Sequence, residues 1–492
     1  MTEIFNNQQN DMTNDKSITD LKNINLWIDN NFESLVNNLK ALIKINSIPT
    51  LAVGNLPFGE NIQEAFEFML NMADKDGFKI KNIDNYGGHI ELIGNGDNKK
   101  TMGILAHLDV VPAGENNWIH PPFDAIIEDG KLYGRGAIDD KGPTMAAYFA
   151  MKAIKESKIE LSNNVHLILG LDEETSWKGM DYYLKKVNAP DFGFTPDSDF
   201  PVVQCEKGIL VFDLVKKLGK SSDSGFELKR LEGGSAYNMV ADYATATIFH
   251  KNKEIYDKIK IQAKTFSHNT GYNIYIKGSG NNLILTTKGI SAHGAMPEKG
   301  LNAISILLAF LADINFNNED INSFIEFYNR YIAFETDGKS ANIDFADNES
   351  GNTAVNIGII KLEKSTITLS INVRMPISVS DEDFYLKLKE VTEQYNFGIV
   401  KSKYQPPISF SSDDSFIQTL MEIYQKHTED YDTKPLVIGG GTYARAMDNF
   451  VAFGALFPGE KEVAHQPNEY ISLESLKKAT YIYAEAIYRL CI

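Results

Sequence analysis

Two cysteines in 492 residues, Cys205 and Cys491, leave no disulfide framework to build. They also exclude a cysteine-rich metal cluster, so any metal ligands are expected from His, Asp and Glu. No apolar run reaches the ~18 residues needed to cross a bilayer. Nothing near the start pairs a basic stretch with the apolar core of a signal peptide. A cytoplasmic protein without a membrane partner is therefore expected. Basic residues are also scarce: 48 Lys and Arg stand against 66 Asp and Glu, a net charge of −18. That balance repels phosphate backbones and anionic lipid, so nucleic acid is not an expected partner either. No HExxH occurs, which excludes a zinc protease of the kind that carries both histidines on one helix.

With 43% apolar and 11% aromatic residues, the chain can bury large cores in more than one domain. The first twenty residues are polar and Asn-rich and read as a frayed arm before an amphipathic helix, LWIDNNFESLVNNLKALIKI. TMGILAH, KGPTMAAYFAMKAIKES, VHLILGL, a helix around WKGMDYYLKKV, and FGFTP then alternate strand with helix. That order predicts a mostly parallel sheet with helices on both faces. After Cys205 the pattern changes to half-exposed strands, LVFDLVKKL, NIYIKG, LILTTKG, TAVNIGII and TITLSINVR, with helices near LNAISILLAFL and DEDFYLKLKEV. The fold class expected is thus α/β, with an α+β domain inserted into a mostly parallel α/β domain. The expected boundaries are 1–205 for the first part of the main domain, 206–406 for the insert and 407–492 for the second part.

Side chains at the carboxyl ends of parallel strands converge on one crevice. Five stretches put acids or histidines in such places. In ILAHLDVVP, His107 and Asp109 share a face if the strand continues; alone, the pair could equally be a surface His–Asp contact. In LYGRGAIDDKGP, Asp139 and Asp140 precede a helix starting near Gly142 and could be caps. The run LGLDEETSWK sets Asp172, Glu173 and Glu174 at a strand end, either as a solvated turn or as part of a site. Asp197 and Asp199 in FTPDSDFP, and His465 in EVAHQPNEY, complete the series. All are ligand types suited to zinc or manganese.

The motifs HLDVVP, YGRGAIDDKGP, DEET, FTPDSDFP, SAHGAMPEKGLNA, GGTYARAM and AHQPNE together resemble the two-metal aminoacylase, carboxypeptidase and carnosinase superfamily of exopeptidases. Within it the chain is most similar to the bacterial PepV-type (Xaa-His) dipeptidases, over nearly its whole length. The resemblance implies a two-domain exopeptidase whose insert is a lid. It also implies two divalent metal ions per chain: zinc foremost, with manganese or cobalt also accommodated by such ligands. It makes His107, Asp139, Glu174, Asp197 and His465 the metal ligands, with Asp139 bridging and followed by a cis peptide bond. Asp109 would orient His107, and Glu173 would be the general base. From the insert, His293 would stabilise the oxyanion, while Asn238 and Arg374 would bind substrate. Gly440, Gly441 and Arg445 would cradle a carboxylate.

The activity implied is hydrolysis of unblocked dipeptides by one chain acting as a monomer, with Asp199 a candidate partner for the substrate ammonium. A deacylase of N-acyl amino acids or of N-succinyl-diaminopimelate would use the same metal core. A silent binding protein of this fold would be expected to have lost a ligand. His89, His120, His166, His250, His268 and His427 match no ligand motif and are expected as surface or core-filling residues. The cysteines read as small buried or terminal residues, and SSDDSF near Asp413 as a helix cap.

Overall fold

The computed structural model describes residues 2–114 and 117–492, with side chains from residue 16 onward. The chain forms two compact units. The first comprises residues 1–204, 410–436 and 442–492, and the second residues 205–409 and 437–441. Among the described residues no helix is long and apolar enough to cross a membrane.

The first unit begins with one helix, Thr2–Lys44, where a frayed arm was expected. Its buried stripe Ile24, Ile28, Leu35, Leu39 and Leu42 anchors it to the core. The polar segment before that stripe contains no Gly or Pro, so helix propagates through it from an existing nucleus at little cost. Lys141, fully buried, donates from Nζ to the carbonyls of Leu42 and Ile45 and so closes the far end of this helix. A second helix, Glu60–Lys75, was not foreseen.

The sheet of this unit runs, in spatial order, Lys79–Asn82, Gly88–Leu92, Asn164–Gly170, Thr101–His107, Phe192–Thr195 and Phe450–Ala452. From Asn164–Gly170 onward these neighbours are parallel. The two strands before it are antiparallel. Strand alternation separates two faces. Met102, Ile104, Ala106, Val165, Leu167 and Leu169 enter the core cluster that also holds helices Lys141–Glu156 and Leu473–Cys491. Leu105, His107, His166 and Gly170 point the other way, where helix Lys178–Lys186 covers part of the sheet through Tyr183. The mostly parallel sheet with helices on both faces is as expected, and the final helix ends at Cys491, which is buried.

In the second unit an antiparallel sheet orders Tyr275–Ser279, Asn282–Lys288, Tyr243–Phe249, Glu227–Gly233, Ala354–Glu363, Thr366–Met375, Gly208–Lys217 and Gly398–Gln405. Ile255–Thr270, Ala303–Leu311, Glu319–Tyr331 and Asp381–Thr392 are its helices. Ala303–Leu311 is apolar nearly all round and buried, and its start is capped by Asn302, which accepts from the Ile304 amide at 2.9 Å. The cap expected near Asp413 is made by its neighbour Asp414, whose carboxylate accepts from the Phe416 amide.

Phe194 packs among Phe453, Tyr483 and Phe200 directly beneath the carboxyl end of the sheet. Phe194→Ala is expected to destabilise the first unit by about 3–5 kcal/mol. The protein's tryptophans, Trp27, Trp118 and Trp177, all lie in that unit, so denaturant unfolding followed by their fluorescence reads it directly. A loss below about 1 kcal/mol would show that this cluster is not a cooperative part of the core.

Candidate metal centre

Three parallel strands end at one place. His107 is the last residue of Thr101–His107, Glu173 and Glu174 follow Asn164–Gly170, and Asp197 follows Phe192–Thr195. Asp139 comes from the turn before helix Lys141–Glu156, where Gly136 takes a φ of 84° that a side chain would resist. His465 comes from the loop before the last helix. All belong to the first unit.

These residues form two groups that share one carboxylate. His107, Asp139 and Asp197 bring ligand atoms together, as do Asp139, Glu174 and His465. His107 Nε2 lies 3.0 Å from Asp139 Oδ1 and 3.7 Å from Asp197 Oδ2. His465 Nε2 lies 2.9 Å from both Asp139 Oδ2 and Glu174 Oε1. Two ligands of one zinc ion at about 2.0–2.2 Å in tetrahedral array are roughly 3.3 Å apart, so the spacing fits. His107 Nε2 is also buried without a hydrogen bond despite the nearby oxygens, the arrangement expected where a cation rather than a proton sits between them. The donor set therefore fits two divalent ions bridged by Asp139. The Asp139–Asp140 peptide bond is cis.

Several neighbours hold this set in place. His107 Nδ1 is 3.0 Å from the backbone oxygen of Asp109 and 3.4 Å from its carboxylate. That carboxylate in turn accepts from the amides of Glu173 at 3.1 Å and Glu174 at 3.0 Å. Beyond the strand these two acids leave the extended conformation. They sit in a turn around Asp172, whose own carboxylate accepts from the Gly179 amide and the Ser176 hydroxyl, both at 2.9 Å. Asp172 thus staples the turn and takes no place among the ligands. Asp140 does not cap its helix; it accepts from the His107 amide at 3.1 Å and from Thr144.

Glu469, Arg135 and Tyr443 escaped the sequence reading. Glu469 Oε1 accepts from the amides of Ile138 and Asp139 at 3.0 and 3.2 Å. Its other oxygen meets the buried Arg135 guanidinium at 2.6 Å. Arg135 also donates to the backbone oxygen of His465 at 3.2 Å. That bond supports His465 in a left-handed conformation, φ 62°, uncommon for a residue with a Cβ. Tyr443 is what the GGTYAR segment brings here. It is buried edge-on against His107 and Trp177. Gly170 makes room for it, since a Cβ there would lie 2.2 Å from the Tyr443 hydroxyl. The residues after Gly440 and Gly441 form only the single turn Tyr443–Ala446. Arg135 and Glu469 lie inside motifs already singled out, GRG and AHQPNE, and their opposite charges were the available signal.

Electrostatics follow from crowding. Burial raises Glu173 well above the ordinary carboxylate range, and the charge of Asp197 adds to it. Burial likewise raises Glu174 and Asp140. Asp139 is the exception: burial would raise it, but His107 and His465 close beside it hold it low. His465 is pushed up to about 11 by Asp139 and Glu174. In His107, burial opposes a rise that Asp109, Asp139 and Asp197 nevertheless produce.

In the second unit, Asn238 and His293 are brought side by side. The Gly294 amide donates to the Asn238 backbone oxygen at 2.7 Å, and Met239 pairs through its backbone with His293. Burial and then the charge of Arg374 keep His293 below its ordinary pKa. Arg374 is buried on strand Thr366–Met375 and donates from Nε to Asn372 at 3.1 Å. Gly440 and Gly441 fall with this unit, whereas Arg445 falls with the first.

Residues 103–489 match peptidase family M20/M25/M40, and the chain belongs to it. It is therefore a hydrolase of peptide bonds in a family that uses divalent metals. Two staphylococcal proteins named "Putative dipeptidase" are similar throughout. The one from Staphylococcus epidermidis is 38% identical over 93% of this chain and 97% of its own length. The one from a bovine strain of Staphylococcus aureus is 38% identical over 94% and 97%. The fold is shared with human carnosine dipeptidase 1 at a TM-score of 0.51 and 17% identity, covering 95% of this chain and 98% of that one. It is shared also with aminoacylhistidine dipeptidase from Vibrio alginolyticus at 0.54 and 15%, covering 92% and 96%.

Asp109→Asn keeps the shape of the residue but replaces an acceptor with a donor facing an amide N–H. Zinc affinity measured by competition with a chelator is expected to fall about 10–100-fold. Unchanged affinity would mean that the Asp109 backbone oxygen alone orients His107.

Proposed function

We propose that the protein is a metal-dependent dipeptidase acting on peptides with a free amino end. Two divalent cations, zinc foremost, would be held by His107, Asp139, Glu174, Asp197 and His465. The observation that carries the reading is the single carboxylate, Asp139, facing a histidine on each side with Glu173 beside the cluster. The names of the staphylococcal relatives support the dipeptide as substrate. When bound, the cations acidify an attacking water and polarise the scissile carbonyl.

The chain's own residues do the rest. Glu173 takes the proton of the attacking water and delivers it to the leaving amine. Its buried, acid-crowded place strengthens its hold on a proton, the property such a shuttle needs. Asp109 and Glu469 keep the ligands aimed. The family resemblance assigns His293 to the oxyanion, Asn238, Arg374 and Arg445 to the substrate, and Gly440 and Gly441 to its carboxylate through their amides. Asp199, two residues beyond Asp197 and paired in strand with Leu456, is proposed to receive the substrate ammonium.

The test is protein stripped with chelator, reloaded with zinc or manganese, and given a dipeptide beside its N-acetylated twin. Metal-dependent cleavage of the free dipeptide alone is expected; cleavage of the blocked twin alone would make the enzyme a deacylase. Glu173→Gln should retain its metal while kcat falls about 10²–10⁴-fold, and near-normal turnover would remove Glu173 from the role of base. Asp199→Ala should narrow the preference for free over blocked substrate; an unchanged preference would place the ammonium elsewhere.

A further inference from the structure

Sequence reading left His89 and His166 as surface or core-filling residues, but the structure sets them together with Glu91 on one face of the sheet. Gly88–Leu92 pairs antiparallel with Asn164–Gly170 so that Glu91 lies opposite His166, with His89 diagonal to it. The two imidazoles stack with centroids 4.5 Å apart and planes within 7°. His89 Nε2 is 3.0 Å from Glu91 Oε1, and its Nδ1 is 2.6 Å from the Tyr183 hydroxyl. Ligand atoms of His89, Glu91 and His166 all fall within 4.8 Å of one another. His166 lies four residues before Gly170, roughly 13 Å along the strand. The cluster thus shares no residue with the catalytic one.

We propose that His89, Glu91 and His166 form a further metal site, for one zinc-class divalent cation, distinct from the centre at Asp139. Two imidazoles and one carboxylate are a sufficient zinc donor set, a water completing it. Three features point to a cation rather than a self-satisfied polar cluster. His166 Nδ1 is buried without a hydrogen-bond partner, a cost a structural cluster would avoid. Tyr183 stands behind His89 where ligating histidines find an orienting partner. With the ring proton on Nδ1 and donated to the tyrosine oxygen, Nε2 presents its lone pair beside Glu91. Burial also holds His89 low, and burial with His89 nearby holds His166 at about 4. Glu91 leaves a way in, its side chain being 21% exposed. One feature opposes the cation: Lys81, exposed on the neighbouring strand, lies opposite His89.

Equilibrium dialysis of the chelator-stripped protein against buffered zinc, with metal counted by mass spectrometry, tests the site. The wild type is expected to hold one equivalent more than Glu91→Gln and His166→Gln, with peptide hydrolysis at saturating zinc within about twofold. Since the readout is a difference of one equivalent, it stands whether or not the catalytic centre is as proposed. Equal metal content in wild type and folded variants would overturn the site. If circular dichroism shows either variant unfolded, Lys81→Ala decides in its place. Removing that exposed charge should tighten the same equivalent about two- to threefold, and unchanged affinity would overturn the proposal.

Discussion

Carboxylate crowding at the carboxyl edge of the parallel strands is the constraint to which the rest of the first unit answers. Asp109, Asp139, Asp140, Glu173, Glu174 and Asp197 converge there on only two imidazoles. Burying an ion costs several kcal/mol unless it is compensated, so the acids must either take up protons or face cations. Around Asp109 the hydrogen bonds favour the second solution. Asp109 accepts two amide protons, and Glu469 accepts two more plus a guanidinium, patterns that only acceptor oxygens can satisfy. Charges held in place by donors, rather than quenched by protons, are what a divalent cation requires.

Compensation and positioning are done by the same bonds. Asp109 touches both the ring of His107 and the turn carrying Glu173 and Glu174, so one buried carboxylate sets the relation between a ligand on one strand and the acids after its neighbour. Arg135 and Glu469 do the equivalent for Asp139 and His465 from residues 330 or more positions apart in sequence. Because these supporting side chains bond backbone amides and carbonyls, the ligands are tied to the fold itself.

Much of this was legible beforehand because it lies in strand ends. Apolar runs stopping at His107, Gly170 and Thr195 marked where side chains converge, and the acids immediately beyond them stood out. What stayed hidden depends on pairings that a single chain does not display. Arg135 and Glu469 are lone charges in the sequence until the fold pairs them. Tyr443 was overshadowed by the glycines and arginine around it. His89 and His166 belong to strands joined antiparallel across more than seventy residues, and only that register makes them neighbours. The strand Glu227–Gly233 and the helix Ile255–Thr270 were missed because charged and amide residues break their periodicity, whereas Tyr243–Phe249 and Glu319–Tyr331 were missed without such a break.

Strand Asn164–Gly170 shows why the site inherits the rigidity of the core. Val165, Leu167 and Leu169 face the helices, and burying each contributes about 1.5–3 kcal/mol. A slip of one residue would carry all of them to the other face and bring His166 and Ile168 into the core in their place, at the cost of the packing they now make. Register is therefore set by the apolar face, and the polar face has no freedom of its own. Gly170 must end the strand where Tyr443 needs space, Glu173 and Glu174 must follow it, and His166 must lie opposite Glu91. Ligand geometry on this sheet is a consequence of hydrophobic packing on its other side.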